Sequence, residues 1–92
     1  MRLTFVVVAD VPSGAAPVFQ RYESLVLPLL ARHGGHLERR LRTDDALNEV
    51  HIVSFESQAG YESYIADEER QSHRALLEGT DVVQRLLQVH DV

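Results

Sequence analysis

Histidine does most of the proton transfer and metal binding available to a protein near neutral pH, and the chain carries five: His33, His36, His51, His73 and His90. His51 stands apart because it interrupts the apolar run Val50-His51-Ile52-Val53-Ser54-Phe55, where a polar ring needs a hydrogen-bond partner or a purpose. Two placements are open to it. It lines a pocket as a proton acceptor, or it is held within the sheet or at a seam between two copies of the chain. If the turn that follows Arg42 centres on Asp45-Ala46, Arg40 lies opposite His51 and the two side chains share a sheet face. Tyr22, Tyr61 and Tyr64 fall on the inward stripes of helical segments, so their hydroxyls either line a cavity or reach the surface from the core. The grouping that follows is a candidate catalytic His51 with Tyr22, Tyr64 and Arg40 as candidate ligand-binding groups, in a pocket between helices and sheet.

The remaining polar clusters have plainer readings. His33 and His36 flank Gly34-Gly35 at a spacing that could hold a metal, but no carboxylate or third histidine falls in pattern with them, so no metal site is expected. His73 is expected to face water. Asp67-Glu68-Glu69-Arg70 is explained by a helix cap and an acidic first turn, and Arg39, Arg40 and Arg42 by edge protection or pairing with Glu38. There is no glycine-rich phosphate loop, nucleophile elbow or paired-carboxylate signature.

These residues need elements to hold them. Leu3 to Ala9 is almost continuously apolar and β-branched, the mark of a central strand buried on both faces. Pro12-Ser13-Gly14 breaks it. A helix follows from about Ala16, with Val18, Tyr22, Leu25 and Leu29 in one stripe widened by Phe19, Val26 and Leu30, and Gly34-Gly35 as its stop. Pro28 lies inside that pattern and predicts a kink or displacement. His36 to Arg42 alternates, with Leu37 and Leu41 on one face and His36, Glu38, Arg40 and Arg42 on the other, and reads as an edge strand hairpin-paired with Val50 to Phe55. Ser57 caps a helix carrying Tyr61, Tyr64 and Ile65, Asp67 caps a further helical segment ending before Gly79, and Val82 to Val89 is a last strand. The order is βαββαβ, an α+β ferredoxin-like arrangement with an antiparallel four-stranded sheet, the first and third strands central and both helices on one face. The other face is then apolar and uncovered, which predicts a homodimer through the sheet faces.

Composition agrees with one small domain spanning residues 1–92. The formal net charge of −5 with scattered basic residues excludes the footprint of a nucleic-acid binder, and the absence of cysteine excludes disulfides and thiolate chemistry. The apolar run near Met1 stops at Asp10 and reads as a strand rather than a secretory leader, so a cytoplasmic location without membrane insertion is expected.

Leu29-Leu30-Ala31-Arg32-His33-Gly34-Gly35, and His51-Ile52-Val53-Ser54-Phe55-Glu56-Ser57 leading into Tyr61, Tyr64 and Asp67, resemble the dimeric α/β-barrel superfamily. That superfamily includes small quinol and antibiotic-biosynthesis monooxygenases and stress-responsive barrel proteins, and the resemblance covers nearly the whole chain. It implies a cofactor-independent oxygenase-like or isomerase-like enzyme acting on a small aromatic or polyketide-like compound, with no cofactor. The alternative is a non-catalytic dimeric module that binds a small ligand or a protein. A haem enzyme has less to support it, because a lone histidine does not establish an axial ligand.

Overall fold

The computed structural model describes residues 2–92. The valine-rich Leu3–Asp10 forms strand β1. Helix α1, Ala16–Val26, carries Pro17 in its first turn, where the missing N–H breaks no hydrogen bond. Pro28 has no N–H for the Ser24 carbonyl, and from Leu27 to His33 the chain continues as a 3-10 segment. The interruption expected at Pro28 is thus a change of helix type. Gly34, at φ 69°, closes this segment in the left-handed conformation. Strands β2, Gly35–Arg42, and β3, Asn48–Phe55, follow as a hairpin. In its turn, Asp45 Oδ1 accepts from the Leu47 N–H at 3.0 Å. Ser57 Oγ accepts the Gly60 N–H at 3.0 Å to open α2, Gln58–Ile65. Asp67 Oδ1 accepts the Arg70 N–H at 3.1 Å to open α3, Glu68–His73. A 3-10 turn, Arg74–Leu77, leads to β4, Val83–Val89. None of the described helices is long and apolar enough to cross a membrane.

The sheet has the order β2-β3-β1-β4 with every pair antiparallel, so β1 and β3 are central. This is the ferredoxin-like α+β arrangement. Phe5 pairs with Val53 and Gln88, and Val7 with His51 and Leu86. Phe5, Val7, His51 and Val53 line the same cavity as Tyr22 of α1 and Tyr61 and Tyr64 of α2, so both helices cover one face of the sheet. Val6, Val8, Val50 and Ile52 alternate with these residues onto the opposite face and are half-buried, whereas Phe5 and Ala9 are fully buried. The fully buried residues of β1, Leu3, Phe5 and Ala9, thus all lie on the helix side, where Val7 is half-buried against the cavity.

Two expectations about faces need correction. A bulge between Leu37 and Arg39 places Leu37 opposite Val53 on the covered face and Leu41 opposite Val50 on the open one. The extra residue, Glu38, reverses the alternation beyond it. Arg40 consequently lies opposite His51 on the covered side, in the register expected. On α1 the buried positions are Phe19, Tyr22, Glu23 and Val26, while Val18 and Leu25 are half-buried. The packed stripe is rotated from the expected one and includes a glutamate.

One core cluster joins Ala9 and Val11 to Phe19, Tyr22 and Val26. A second joins Leu3, Phe5, Val53 and Phe55 to Leu30, with Tyr61 and Tyr64 against it. The height of α2 over this core is set by Gly60, where an added Cβ would overlap the His33 carbonyl oxygen and lie 3.3 Å from Ser57 Oγ. Gly60→Ala is expected to destabilise the protein by about 1–3 kcal/mol despite alanine's better helix propensity. Urea unfolding measures this, and an unchanged midpoint would show that α2 shifts freely.

Candidate active site

Between the helices and the covered sheet face lies a cavity of about 750 Å³, within the size range of small-molecule sites. Its apolar wall is aromatic: Phe5 stacks on Tyr61 with centroids 4.4 Å apart, and Phe55 meets Tyr61 and Tyr64 at 5.5 and 5.4 Å. α1 contributes Tyr22 and Glu23, β3 contributes His51, and Arg70 and Arg74 stand on the far side. Burial raises the Tyr22 and Tyr64 hydroxyls above the ordinary phenol range, against the opposing pull of neighbouring arginines.

The polar wall carries Glu23 and His51, with Glu49 behind His51. Glu23, Glu49 and His51 are only 2–3% exposed. His51 Nε2 lies 2.8 Å from Glu49 Oε1, and its Nδ1 lies 3.7 Å from Glu23 Oε2. Burial pushes the Glu49 carboxyl up, but hydrogen bonds from Arg40, His51 and Arg42 together outweigh it and hold the group at about 2. Glu23 has no such set of donors. Burial dominates there, offset in part by Arg40 and reinforced by Glu49, and raises it to about 7. An ionised Glu49 only accepts hydrogen bonds, so Nε2 of His51 carries the hydrogen and Nδ1 of the neutral ring is the acceptor. A histidine oriented by a carboxylate, with its other nitrogen beside a carboxyl that titrates near neutrality, is equipped to take a proton from a bound molecule.

No protein-family model and no curated protein sequence matches the chain. Solved structures do. SnoaB, a cofactor-independent oxygenase from Streptomyces nogalater, is 20% identical with a TM-score of 0.76, covering 99% of this chain and 95% of its own. A proposed antibiotic biosynthesis monooxygenase from Caulobacter crescentus is 11% identical with a TM-score of 0.77, covering 98% and 91%. A counterpart from Bordetella bronchiseptica is 17% identical with a TM-score of 0.76, covering 99% and 97%. The chain shares the fold of these structures. At these identities the likeness is one of fold alone, the ferredoxin-like α+β arrangement.

Within this fold, His51, Tyr22 and Tyr64 are brought to one cavity, and His51 faces the helices rather than the open face. Arg40 is not on the cavity lining. Its Nε donates to Glu49 Oε1 at 2.9 Å, and Arg42 Nε donates to Glu49 Oε2 at 2.9 Å. Arg40 and Arg42 thus pair with Glu49 and not with Glu38, which instead accepts from Ser54 Oγ, while Arg39 lies opposite Ile52 on the open face. Sequence reasoning missed Glu23 and Glu49. Glu23 had a signal, since it stands four residues after Phe19 and three before Val26 on the buried stripe.

The histidines flanking the double glycine diverge. His33 places Nδ1 2.7 Å from Ser63 Oγ and Nε2 2.7 Å from Asp67 Oδ2, while His36 Nε2 sits 2.7 Å from Glu56 Oε1. Ser63, His33 and Asp67 are the residue types of a hydrolytic triad, but Ser63 Oγ donates to the Gly60 carbonyl at 2.9 Å and none of the three lines the cavity. The arrangement clamps the end of the 3-10 segment to the α2–α3 junction. His73, half-buried 3.7 Å from Glu69, is also outside the cavity.

The raised Glu23 carboxyl makes stability depend on pH with a definite sign. Between about 4.5, its unfolded value, and about 7 the unfolded chain releases this proton while the folded one retains it, so the Glu23 contribution falls as pH rises through that window. Relative to the native chain, Glu23→Gln is expected to gain roughly 2–3 kcal/mol of stability from pH 4.5 to 7.5. Parallel urea unfolding curves of the two proteins across that range provide the check, and a constant difference would refute the assignment.

Proposed function

We propose that this protein is a cofactor-independent, monooxygenase-like enzyme acting on a small aromatic or polyketide-like compound, with His51 as its proton acceptor. The observation that supports this most is the buried His51, fixed by Glu49 through Nε2 with Nδ1 toward Glu23 in the wall of an aromatic cavity. Tyr22 and Tyr64 are the ligand-binding hydroxyls, and Arg40 acts as a positioning residue through Glu49. His51 removes a proton from an acidic benzylic C–H of the bound ring system. The carbanion combines with O₂ to give a hydroperoxide once protonated, and loss of water leaves a carbonyl. Such a substrate is its own reductant, so the protein's part is desolvation, orientation and proton transfer. Similarity of fold to SnoaB, a cofactor-independent oxygenase, supports the same reading.

An oxygen electrode with anthrone as probe, in the presence of a metal chelator, tests this. The native protein should accelerate oxygen uptake, and His51→Ala should lower kcat by roughly 10²–10³-fold while still binding the probe. Binding without acceleration in the native protein would favour the non-catalytic ligand-binding module instead.

The working unit in this proposal is a homodimer closed through the open sheet faces. Val6, Val8, Val50 and Ile52 are only half-buried there, and Leu41 and Leu87 are 41% and 46% exposed on the same side. An apolar sheet face of that extent is expected to be covered, and a second copy supplies a matching surface. Sedimentation should give about twice 10.4 kDa. Val6→Asp, which would bury an unpaired charge at a cost of several kcal/mol, should shift the protein to monomer. A native monomer at micromolar concentration would overturn the assembly.

A further inference from the structure

The nine arginines of this chain differ in their partners. Arg2, Arg32, Arg40 and Arg42 each lie within 4 Å of a carboxylate oxygen. The other five have no carboxylate partner among the described residues; of these Arg70, Arg74 and Arg85 line the cavity, and Arg70 and Arg74 stand one turn apart on its wall. Arg70 is further constrained. Its Nε is buried and is the one buried side-chain nitrogen or oxygen among the described residues without a hydrogen-bond partner. Its guanidinium is held in place by the Tyr64 ring, 4.6 Å from Cζ to the centroid, and its backbone N–H is fixed by the Asp67 cap. A buried, unsatisfied and immobilised donor is costly unless a ligand completes it. Two acids share the lining: Glu78 is exposed, and Glu23 is largely neutral below about 7 because of its burial.

We propose that Arg70 and Arg74 form an anion subsite that receives the carboxylate of an aromatic acid, with its rings along Phe5, Tyr61 and Tyr64 and its reactive position toward His51. The planar guanidinium fork matches a carboxylate in shape and charge. The proposal rests on the reading of the cavity as a binding site for aromatic molecules, and it narrows that reading from aromatic compounds to aromatic acids.

Calorimetric titration of the full chain with 1-hydroxy-2-naphthoate and with its methyl ester tests the subsite. The native protein should bind the acid about tenfold or more tightly than the ester, and only the acid should weaken as salt is raised. Arg70→Met should bring the ratio close to one while leaving ester affinity within about twofold. Arg70→Lys, which keeps the charge without the fork, should fall between. Equal binding of acid and ester by the native protein overturns the subsite and leaves the cavity reading standing, whatever the folding of the variants. An unchanged ratio in a folded Arg70→Met protein also overturns it, and binding of neither probe refutes the cavity reading together with the subsite.

Discussion

Glu49 is an ionised carboxylate on the covered face of a central strand, and the site depends on what makes that tolerable. A buried charge without partners is neutralised or expelled, and here Arg40, Arg42 and His51 supply the partners. Both arginines come from the neighbouring strand, and they reach the covered side because the bulge at Glu38 reverses the side-chain alternation of β2. One inserted residue thus determines the charge state of Glu49. Through Glu49 it determines which nitrogen of His51 bears the hydrogen, and through that which nitrogen faces the cavity.

The covered face changes character along its length. Glu49 and His51 lie toward the hairpin end of β3, and Val53 and Phe55 toward the other, with Phe5 and Tyr61 against them. A cavity built on such a surface is apolar where a ring system would stack and polar where a proton would move. Glu23 completes the polar end from above, accepting from Gln84 at 3.4 Å. Burial separates the titration of the two glutamates: one is held charged by arginines, and the other is left close to neutrality. Environments that push like groups apart are the usual basis for dividing acid and base roles in a site.

The roof of this cavity is fixed by contacts outside it. Pro28 converts the end of the first helical segment to 3-10 geometry, Gly34 closes it, and Gly60 allows α2 to approach the His33 carbonyl closely. His33 then joins that end to Ser63 and Asp67. Asp67 caps α3 through Arg70, so the clamp also sets where the Arg70 guanidinium stands. Residues without a chemical role in the cavity thereby position those that line it.

The sequence left His51 open between a pocket and a seam, while it carried the element order, the central pair of strands, both helix caps and the inward helix stripes that bear Tyr22 and Tyr64. These follow from local periodicity, turn residues and the handedness of the crossovers, all of which act over a few residues or one connection. It also placed Arg40 opposite His51, because hairpin register is set by a short turn. The tertiary structure alone decided that Leu37 and Leu41 lie on opposite faces, since a bulge is paid for by the two strands together and leaves no mark in the alternation. It alone decided that Glu49 is buried and charged, that Glu23 is buried and close to neutral, and that Arg70 has a buried donor unpaired. Each is an electrostatic outcome of which side chains converge from separate elements, and spacing along the chain does not encode that convergence.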